Sequence, residues 1–264
     1  MRYLSVLAGV LAASAPARAD RAVGPVDRLS PWTLELGGAL SYADRNVTTV
    51  TAAAGEAPGD ESEVVVAPWM RVWLTDAIEV GIRQPISGRD NGDVELSSSL
   101  VVGRGALSGG TSLALVLPTG GWSFSSERIA VSAAALGAWR AFPGGHLFVR
   151  PSYTARAGDY PLDAADAAAL EIGLAARARA LSLVPRLSAE RTLDLGGGFD
   201  GFTTWRGGVE AAVEITRDVT ASARIDWAGA SAHTIDSTGA YGRASEVVSS
   251  IGLAWAWDLG SQRA

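Results

Sequence analysis

The two histidines, His146 and His233, are the side chains whose chemistry could best support acid–base catalysis. His233 lies close in sequence to Ser231 and Asp236, so a serine, a base and an acid share one short segment. A Ser-His-acid site needs the base within hydrogen-bond reach of the nucleophile, and nothing in this spacing predicts that contact. The nucleophile motif Gly-x-Ser-x-Gly is absent. His146 directly follows Pro143-Gly144-Gly145 and begins a predicted strand. The sequence therefore does not favour an enzyme.

Two acidic segments offer oxygen ligands that a calcium ion could use. They are Gly59-Asp60-Glu61-Ser62-Glu63 and Asp90-Asn91-Gly92-Asp93. Neither has the complete spaced ligand loop, and solvated acidic turns are far more common. The chain has no cysteine, which excludes thiolate metal sites and disulfides. We expect no metal and no cofactor. The net charge of -6, without a basic stripe, argues against a nucleic-acid partner.

The first nineteen residues have the pattern of a cleavable export signal. Arg2 provides the positive start, residues 4–13 form an apolar stretch, and Ala17-Arg18-Ala19 is a small-x-small cleavage site before Asp20. The apolar stretch is shorter than the roughly 20 residues that a membrane-spanning helix needs. No later run reaches about 18 apolar residues, although 48% of the chain is hydrophobic. Two classes remain, a soluble periplasmic β-protein and a membrane β-barrel.

Apolar and polar residues alternate over segments of about ten residues, the length and pattern of tilted transmembrane strands. In residues 203–216, Val209 and Val213 share one parity, whereas Arg206 and Glu214 share the other. Residues 164–184 also fit a helical spacing, but period two fits them at least as well. The predicted strands are 32–44, 63–75, 77–88, 93–107, 111–118, 129–142, 146–157, 168–179, 181–194, 203–216, 219–230 and 245–259. Short connections, among them Ser108-Gly109-Gly110, alternate with mostly longer ones such as 45–62.

Charge placement favours a closed membrane barrel over a soluble sheet. Most charges within strands lie on the parity opposite the aliphatic residues, as expected if one face meets lipid and the other lines an interior. The predicted lumen-lining residues are Arg71, Arg83, Arg150, Arg156, Glu171, Arg177, Arg186, Arg206, Glu210, Glu214, Arg224 and Asp226, with Glu35, Glu79, Glu95, Arg179 and Glu190 on the same parity. The predicted membrane-interface residues are Trp32, Trp139, Trp205, Trp227, Trp255 and Trp257, whereas Trp69 and Trp73 should point inward.

These features together resemble the small outer-membrane β-barrels of Gram-negative bacteria, including porin-like and transporter-like families. The final segment, Val247 to Leu259 with apolar residues at every second position, looks like the C-terminal signal read by the barrel-assembly machinery. It departs from that pattern because the chain ends in Gly260-Ser261-Gln262-Arg263-Ala264 rather than an aromatic residue. The resemblance implies a location in the cell outer membrane, contact with its lipids and assembly by that machinery.

The expected organisation is a signal peptide at 1–19, a periplasmic segment at 20–31, an all-β, antiparallel up-and-down barrel of about twelve strands at 32–260, and a tail at 261–264. For function, we expect a narrow channel for passive or facilitated diffusion of small solutes. A structural or surface-interaction barrel with a plugged lumen is an alternative, and an outer-membrane lipid hydrolase is a less favoured one. The sequence leaves the oligomeric state and the solute open.

Overall fold

The computed structural model describes residues 30–51, 55–87, 91–103, 106–120, 129–157, 166–193, 201–230, 233–236 and 239–259. Side chains are not described for 47–51, 55–61, 233–236 and 239–244. The predicted signal peptide at 1–19, most of the predicted periplasmic segment and the tail at 261–264 lie outside these ranges. Within the described residues, no helix is both long and apolar enough to cross a membrane.

Strands account for nearly all of the described chain. They are β1 (Thr33–Thr51), β2 (Gly55–Trp73), β3 (Ile78–Arg83), β4 (Ile86–Ser87), β5 (Val94–Val102), β6 (Leu107–Leu117), β7 (Ile129–Phe142), β8 (Gly145–Ala157), β9 (Ala167–Ala178), β10 (Leu181–Thr192), β11 (Thr203–Glu214), β12 (Val219–Ala230), β13 (His233–Asp236) and β14 (Gly239–Asp258). The alanine-rich segment that also fitted a helix therefore forms a β-hairpin, because its period-two pattern places Leu170 and Ile172 outside and Glu171 inside.

The strands pair antiparallel in chain order, except that β3 pairs with β5 past β4 and β12 pairs with β14 past β13. Strand β1 closes the sheet by pairing with both β2 and β14. Strands β3 and β4 lie one after the other along β2, so they share a single position in the wall. The short β13 pairs with the start of β14, beyond the register in which β12 pairs with β14. The result is a closed antiparallel barrel of twelve strands, as the sequence predicted.

The short turns at one end of the barrel are held by side chains as well as by the backbone. In the turn between β2 and β3, Thr75 Oγ1 accepts hydrogen bonds from the backbone N–H groups of Ala77 and Ile78, at 3.1 and 3.0 Å. Thr216 Oγ1 does the same for Asp218 and Val219 between β11 and β12, at 3.3 and 3.1 Å. The same arrangement of a threonine hydroxyl therefore stabilises two turns that are distant in the chain, and it fixes the register of each hairpin.

Two predicted connections are wrong. Ser108-Gly109-Gly110 lies inside β6, and the turn before it falls between Val102 and Leu107. Gly110 resembles a turn residue in the sequence, but it faces Val101 at a position where a Cβ would collide with the carbonyl of Leu100. The predicted loop at 45–62 is largely paired strand, since β1 runs to Thr51 and β2 starts at Gly55. The polar composition of this segment indicated a loop, so the extension of the β1–β2 hairpin was not predicted.

The two faces of the wall differ sharply in chemistry. Large apolar side chains cover the outer face, where Leu113, Leu187 and Ile251 are 57%, 60% and 63% exposed. The inner face carries small residues together with buried charges such as Glu35, at 1% exposed, and Glu210, at 2%. An apolar outer face around a charged interior is unfavourable in water, and it is the expected arrangement for a barrel surrounded by lipid.

Candidate functional site

The barrel interior is the candidate functional site, because it gathers nearly all of the charges that the alternation pattern singled out. Inward positions on neighbouring strands face each other in register, which brings side chains of opposite sign within reach. Most of the inner charges therefore have a partner on an adjacent strand, and they fall into separate groups around the wall.

The first group lies on β1, β2 and β3 near the end with the short turns. Arg71 forms a salt bridge with Glu35 at 3.0 Å and approaches Glu79 at 4.0 Å. Its guanidinium also stacks over the ring of Trp69, 4.3 Å from the centroid. Trp69 and Trp73 are 6% and 5% exposed, in agreement with their predicted inward direction. Arg83 is half-buried on the same face of β3. The carboxylate of Glu35 and the ring of Trp69 therefore hold the guanidinium of Arg71 in place.

The second group lies on β10, β11 and β12. Arg186 reaches Glu210 at 3.7 Å and Asp226 at 3.4 Å, so one guanidinium bridges two strands. Arg224 also pairs with Asp226. Arg206 lies half-buried one inward position beyond Gly208 on β11, toward the end with the longer connections. Glycine at 208 leaves room for the carboxylate of Asp226, because a Cβ there would overlap it. The sequence predicted these residues on the inner face, but only the structure shows which pairs form.

The third group lies on β8, β9 and β10. Arg150 binds Glu171 at 2.6 Å, and these two residues are partners in register. Arg156 lies 3.7 Å from Glu190 near the opposite end of the barrel. The side chains of all four are at most 14% exposed. Buried pairs of this kind tie neighbouring strands together and leave little net charge facing the lumen.

Three further pairs lie close to the two mouths, two of them formed by Arg45. Arg45 donates to Glu246 at 2.6 Å and to Glu63 at 3.2 Å, so it joins β14 and β2 to β1 at the barrel closure. Arg45 was not predicted as a lumen residue, because residues 45–62 were expected to form a loop. At the other mouth, Arg177 binds Glu214, but their side chains are 46% and 38% exposed. Those two predicted lumen residues therefore lie at the rim, and Arg179 lies in the turn after β9 with φ 57°.

An apolar layer occupies the interior on the short-turn side. We define it as the contacting, buried set Val101, Leu136, Ala138, Phe148, Ala175, Val184 and Ala212, which spans β5 to β11. Val101 and Leu136 both face Gly110, the residue between them on β6. Phe148 covers Gly173 in the same way. This layer was not predicted, because only charged residues on the inward parity indicated the lumen.

Beyond the apolar layer, toward the end with the longer connections, the interior contains a cavity of about 140 Å³. Its wall on β5 to β8 is rich in hydroxyl groups and small side chains, whereas Arg150, Arg156 and Arg206 with four glutamates complete the lining. Ser132 and Thr154 are hydrogen-bonded across β7 and β8 at 2.8 Å. The interior therefore has a polar part rich in hydroxyl groups and an apolar part on the short-turn side.

The candidate catalytic and metal residues lie elsewhere. His146 is half-buried at the start of β8, and its partners in register are Arg140 and Ala175, which supply neither nucleophile nor acid. His233 belongs to β13, but its side chain and residue 231 lie outside the description. Residues 88–90 and the side chains of 55–61 are outside it too. Among the described residues, no group of three or more His, Cys, Asp or Glu side chains gathers as a metal site.

The predicted interface tryptophans lie on the outer face near the ends of strands. Trp32, Trp139 and Trp255 are 51–53% exposed at the short-turn end, and Trp257 stacks on Trp255 with ring centroids 5.1 Å apart. Trp205 and Trp227 are 59% and 52% exposed toward the opposite end. Two rings of aromatic side chains separated by an aliphatic band match the usual girdles of membrane barrels.

No family model matches the sequence, and no curated protein matches it either. Solved structures do resemble the fold. The COG4313 outer-membrane channel from Pseudomonas putida F1 superposes with a TM-score of 0.59 at 13% identity, over 89% of this chain and 98% of that one. The KdgM porin in complex with disordered oligogalacturonate gives 0.53 at 7% identity, over 81% and 98%. The translocator domain of the autotransporter NalP from Neisseria meningitidis gives 0.51 at 15%, over 96% and 97%.

Identities of this size establish a shared fold and nothing finer. The chain is an outer-membrane-type β-barrel, which confirms the resemblance inferred from its sequence.

Proposed function

We propose that the protein is an outer-membrane channel through which small hydrophilic solutes diffuse along a narrow, weakly ion-selective lumen. The observation that carries the proposal is the pairing of opposite charges around the inner wall, in which Arg71, Arg150 and Arg186 each bind carboxylates of neighbouring strands. A lining of one sign would concentrate ions of the other, whereas compensated pairs leave little net field. The lumen would thus admit polar solutes without strong preference for either ion.

The proposed location follows from the outer face. Exposed aliphatic residues such as Leu113 and Ile251 would contact lipid, and the exposed tryptophans would lie at its two boundaries. The last strand, β14, would present its outward Val247, Ile251 and Leu253 to the assembly machinery during insertion. A location in the outer membrane and export through residues 1–19 belong to this proposal.

Planar-bilayer recording in KCl tests the proposal directly. We expect small, discrete current steps and, under a salt gradient, a reversal potential close to zero. Insertion is checked separately by gel mobility, since a folded barrel migrates compactly before boiling and shifts afterwards. A large conductance, or a reversal potential near the ideal value for one ion, would contradict a compensated narrow lumen.

A plugged structural barrel is the second candidate, and the apolar layer favours it. The layer packs Val101, Leu136 and Phe148 together inside the barrel, and apolar side chains at this position could stop water and ions if they close the lumen. A correctly folded, inserted barrel without any current in KCl, even after Phe148→Ala removes the largest side chain of the layer, would support this candidate over the channel.

A further inference from the structure

We infer that the cavity beyond the apolar layer is a binding site for a small, neutral, polyhydroxylated solute, such as a single sugar ring. The inference deepens the proposed channel function and rests on it for the route by which the solute arrives. Three independent properties of the cavity support it: its size, the chemistry of its uncharged wall, and the compensation of its charges.

Size limits the ligand to a single small ring. The cavity measures about 140 Å³. An engineered protein cavity of about 150 Å³ accepts one benzene molecule, whereas drug-sized ligands need pockets of about 300 Å³ or more. A compact polyol is therefore in the right range and a monosaccharide is its upper limit, whereas an extended oligomer would have to pass through segment by segment.

The uncharged wall supplies hydroxyl groups from four consecutive strands. Ser97 and Ser99 on β5, Ser112 on β6, Ser132 on β7, and Ser152 and Thr154 on β8 line the cavity. Each hydroxyl can donate one hydrogen bond and accept two, the same capacity as the hydroxyls of a sugar. Ser99 is only 7% exposed, and its Oγ has no hydrogen-bond partner among the described residues. A buried hydroxyl without a partner costs free energy, which a bound polar ligand would recover.

Compensated charges disfavour ionic ligands. Three arginines and four glutamates line the cavity, and Arg150–Glu171 and Arg156–Glu190 are already paired at 2.6 and 3.7 Å. A charged solute would have to leave water and compete with these pairs, and the excess of a single glutamate over the arginines would attract it little. Among the described residues, the lining contains no aromatic side chain that would favour a flat apolar ligand. A neutral polyol needs only hydrogen bonds and meets none of these penalties.

Equilibrium dialysis with labelled D-glucose on the refolded, detergent-solubilised barrel tests the site. We expect saturable binding of D-glucose and binding about tenfold weaker or worse for D-gluconate, D-glucosamine and cyclohexanol. The triple variant Ser97→Ala, Ser99→Ala, Ser112→Ala should weaken glucose binding by about tenfold, since it removes hydroxyls without adding volume. The control is Ser41→Ala, Ser222→Ala, Ser250→Ala, which changes half-buried inward serines that do not line the cavity.

The outcomes separate this inference from the channel proposal. Current in KCl without saturable glucose binding overturns the inference and leaves the channel standing. Glucose binding without any current overturns the channel and leaves the site. Tighter binding of either charged analogue, or equal loss in both triple variants, contradicts recognition by this hydroxyl wall. Gel mobility before and after boiling verifies that each variant is folded.

Discussion

The indole ring of Trp69 fills the space that a side chain at Gly37 would need. The two residues are partners in register on β1 and β2, and a Cβ at position 37 would overlap the ring. The ring in turn carries the guanidinium of Arg71, which binds the almost fully buried Glu35. Because Gly37 has no side chain, the ring of Trp69 can lie over it, and the ring in turn positions the charge of Arg71 inside the lumen.

Gly37→Ala should lower the free energy of unfolding by about 1–3 kcal/mol, because the new methyl group overpacks against Trp69. Urea denaturation followed by gel mobility or tryptophan fluorescence measures the change. Gly38→Ala is the matched control, since a Cβ there would have no atom closer than 3.9 Å. Combining Gly37→Ala with Trp69→Leu should recover part of the loss, and a purely additive double mutant would refute the proposed overlap.

Arg186→Gln should make the lumen cation-selective. Arg186 bridges Glu210 and Asp226, so its neutralisation removes a positive charge and leaves Glu210 without that partner. The reversal potential under a KCl gradient should shift toward the K⁺ value, and the free energy of unfolding should fall by about 3 kcal/mol or more. The double variant Arg186→Gln, Glu210→Gln should bring the reversal potential back.

Arg177→Gln provides the control for the same experiment. Its partner Glu214 is at the rim and both side chains are largely solvated, so the pair should contribute about 0–1 kcal/mol and influence selectivity little. An equal shift of the reversal potential in both variants would mean that position within the barrel does not matter, contrary to the proposal.

The period-two pattern was sufficient to predict the barrel and its twelve strands. Residues such as Val209 and Glu210 lie on opposite faces of a strand whatever its neighbours are, so local sequence carries that information. The turn at 108–110 was predicted wrongly because Gly110 has a tertiary role. A Cβ there would collide with the backbone carbonyl of Leu100 on the adjacent strand, and no local pattern reports on a strand that arrives from elsewhere in the chain.

The sequence likewise could not predict which charged residues pair with one another in the lumen. Arg71 could pair with either strand beside it, and only the register places Glu35 at 3.0 Å and Glu79 at 4.0 Å. Arg45 was missed for a related reason. The polar composition around it indicated a loop, whereas pairing of β1 with both β2 and β14 buries it between Glu63 and Glu246.

Phe148→Ala should increase single-channel conductance, because the apolar layer narrows the lumen and Phe148 is its largest member. Removing a buried phenylalanine costs about 3–5 kcal/mol of stability, so folding is verified by gel mobility before recording. Leu147→Ala is the matched control. Leu147 directly precedes Phe148 on β8, but its side chain faces outward and is 44% exposed. Unchanged conductance in a folded Phe148→Ala barrel would show that the constriction lies elsewhere.

Spin labels on β11 and β12 should show two different environments at alternate residues. Because the chain contains no cysteine, each cysteine introduced for labelling is the single reactive site. Val213 and Ala223 point outward, with Val213 43% exposed, whereas Ala212 is 5% exposed and Ser222 is half-buried on the inner face. In lipid bilayers, labels at Val213 and Ala223 should be accessible to oxygen and shielded from polar relaxers, because oxygen partitions into the hydrocarbon and ionic reagents do not. Labels at Ala212 and Ser222 should show the reverse.

Repeating the measurement in urea, where the alternation should disappear, checks that the contrast comes from the folded barrel. Equal accessibility to polar relaxers at all four positions in the bilayer would contradict a wall with lipid on one side and a lumen on the other.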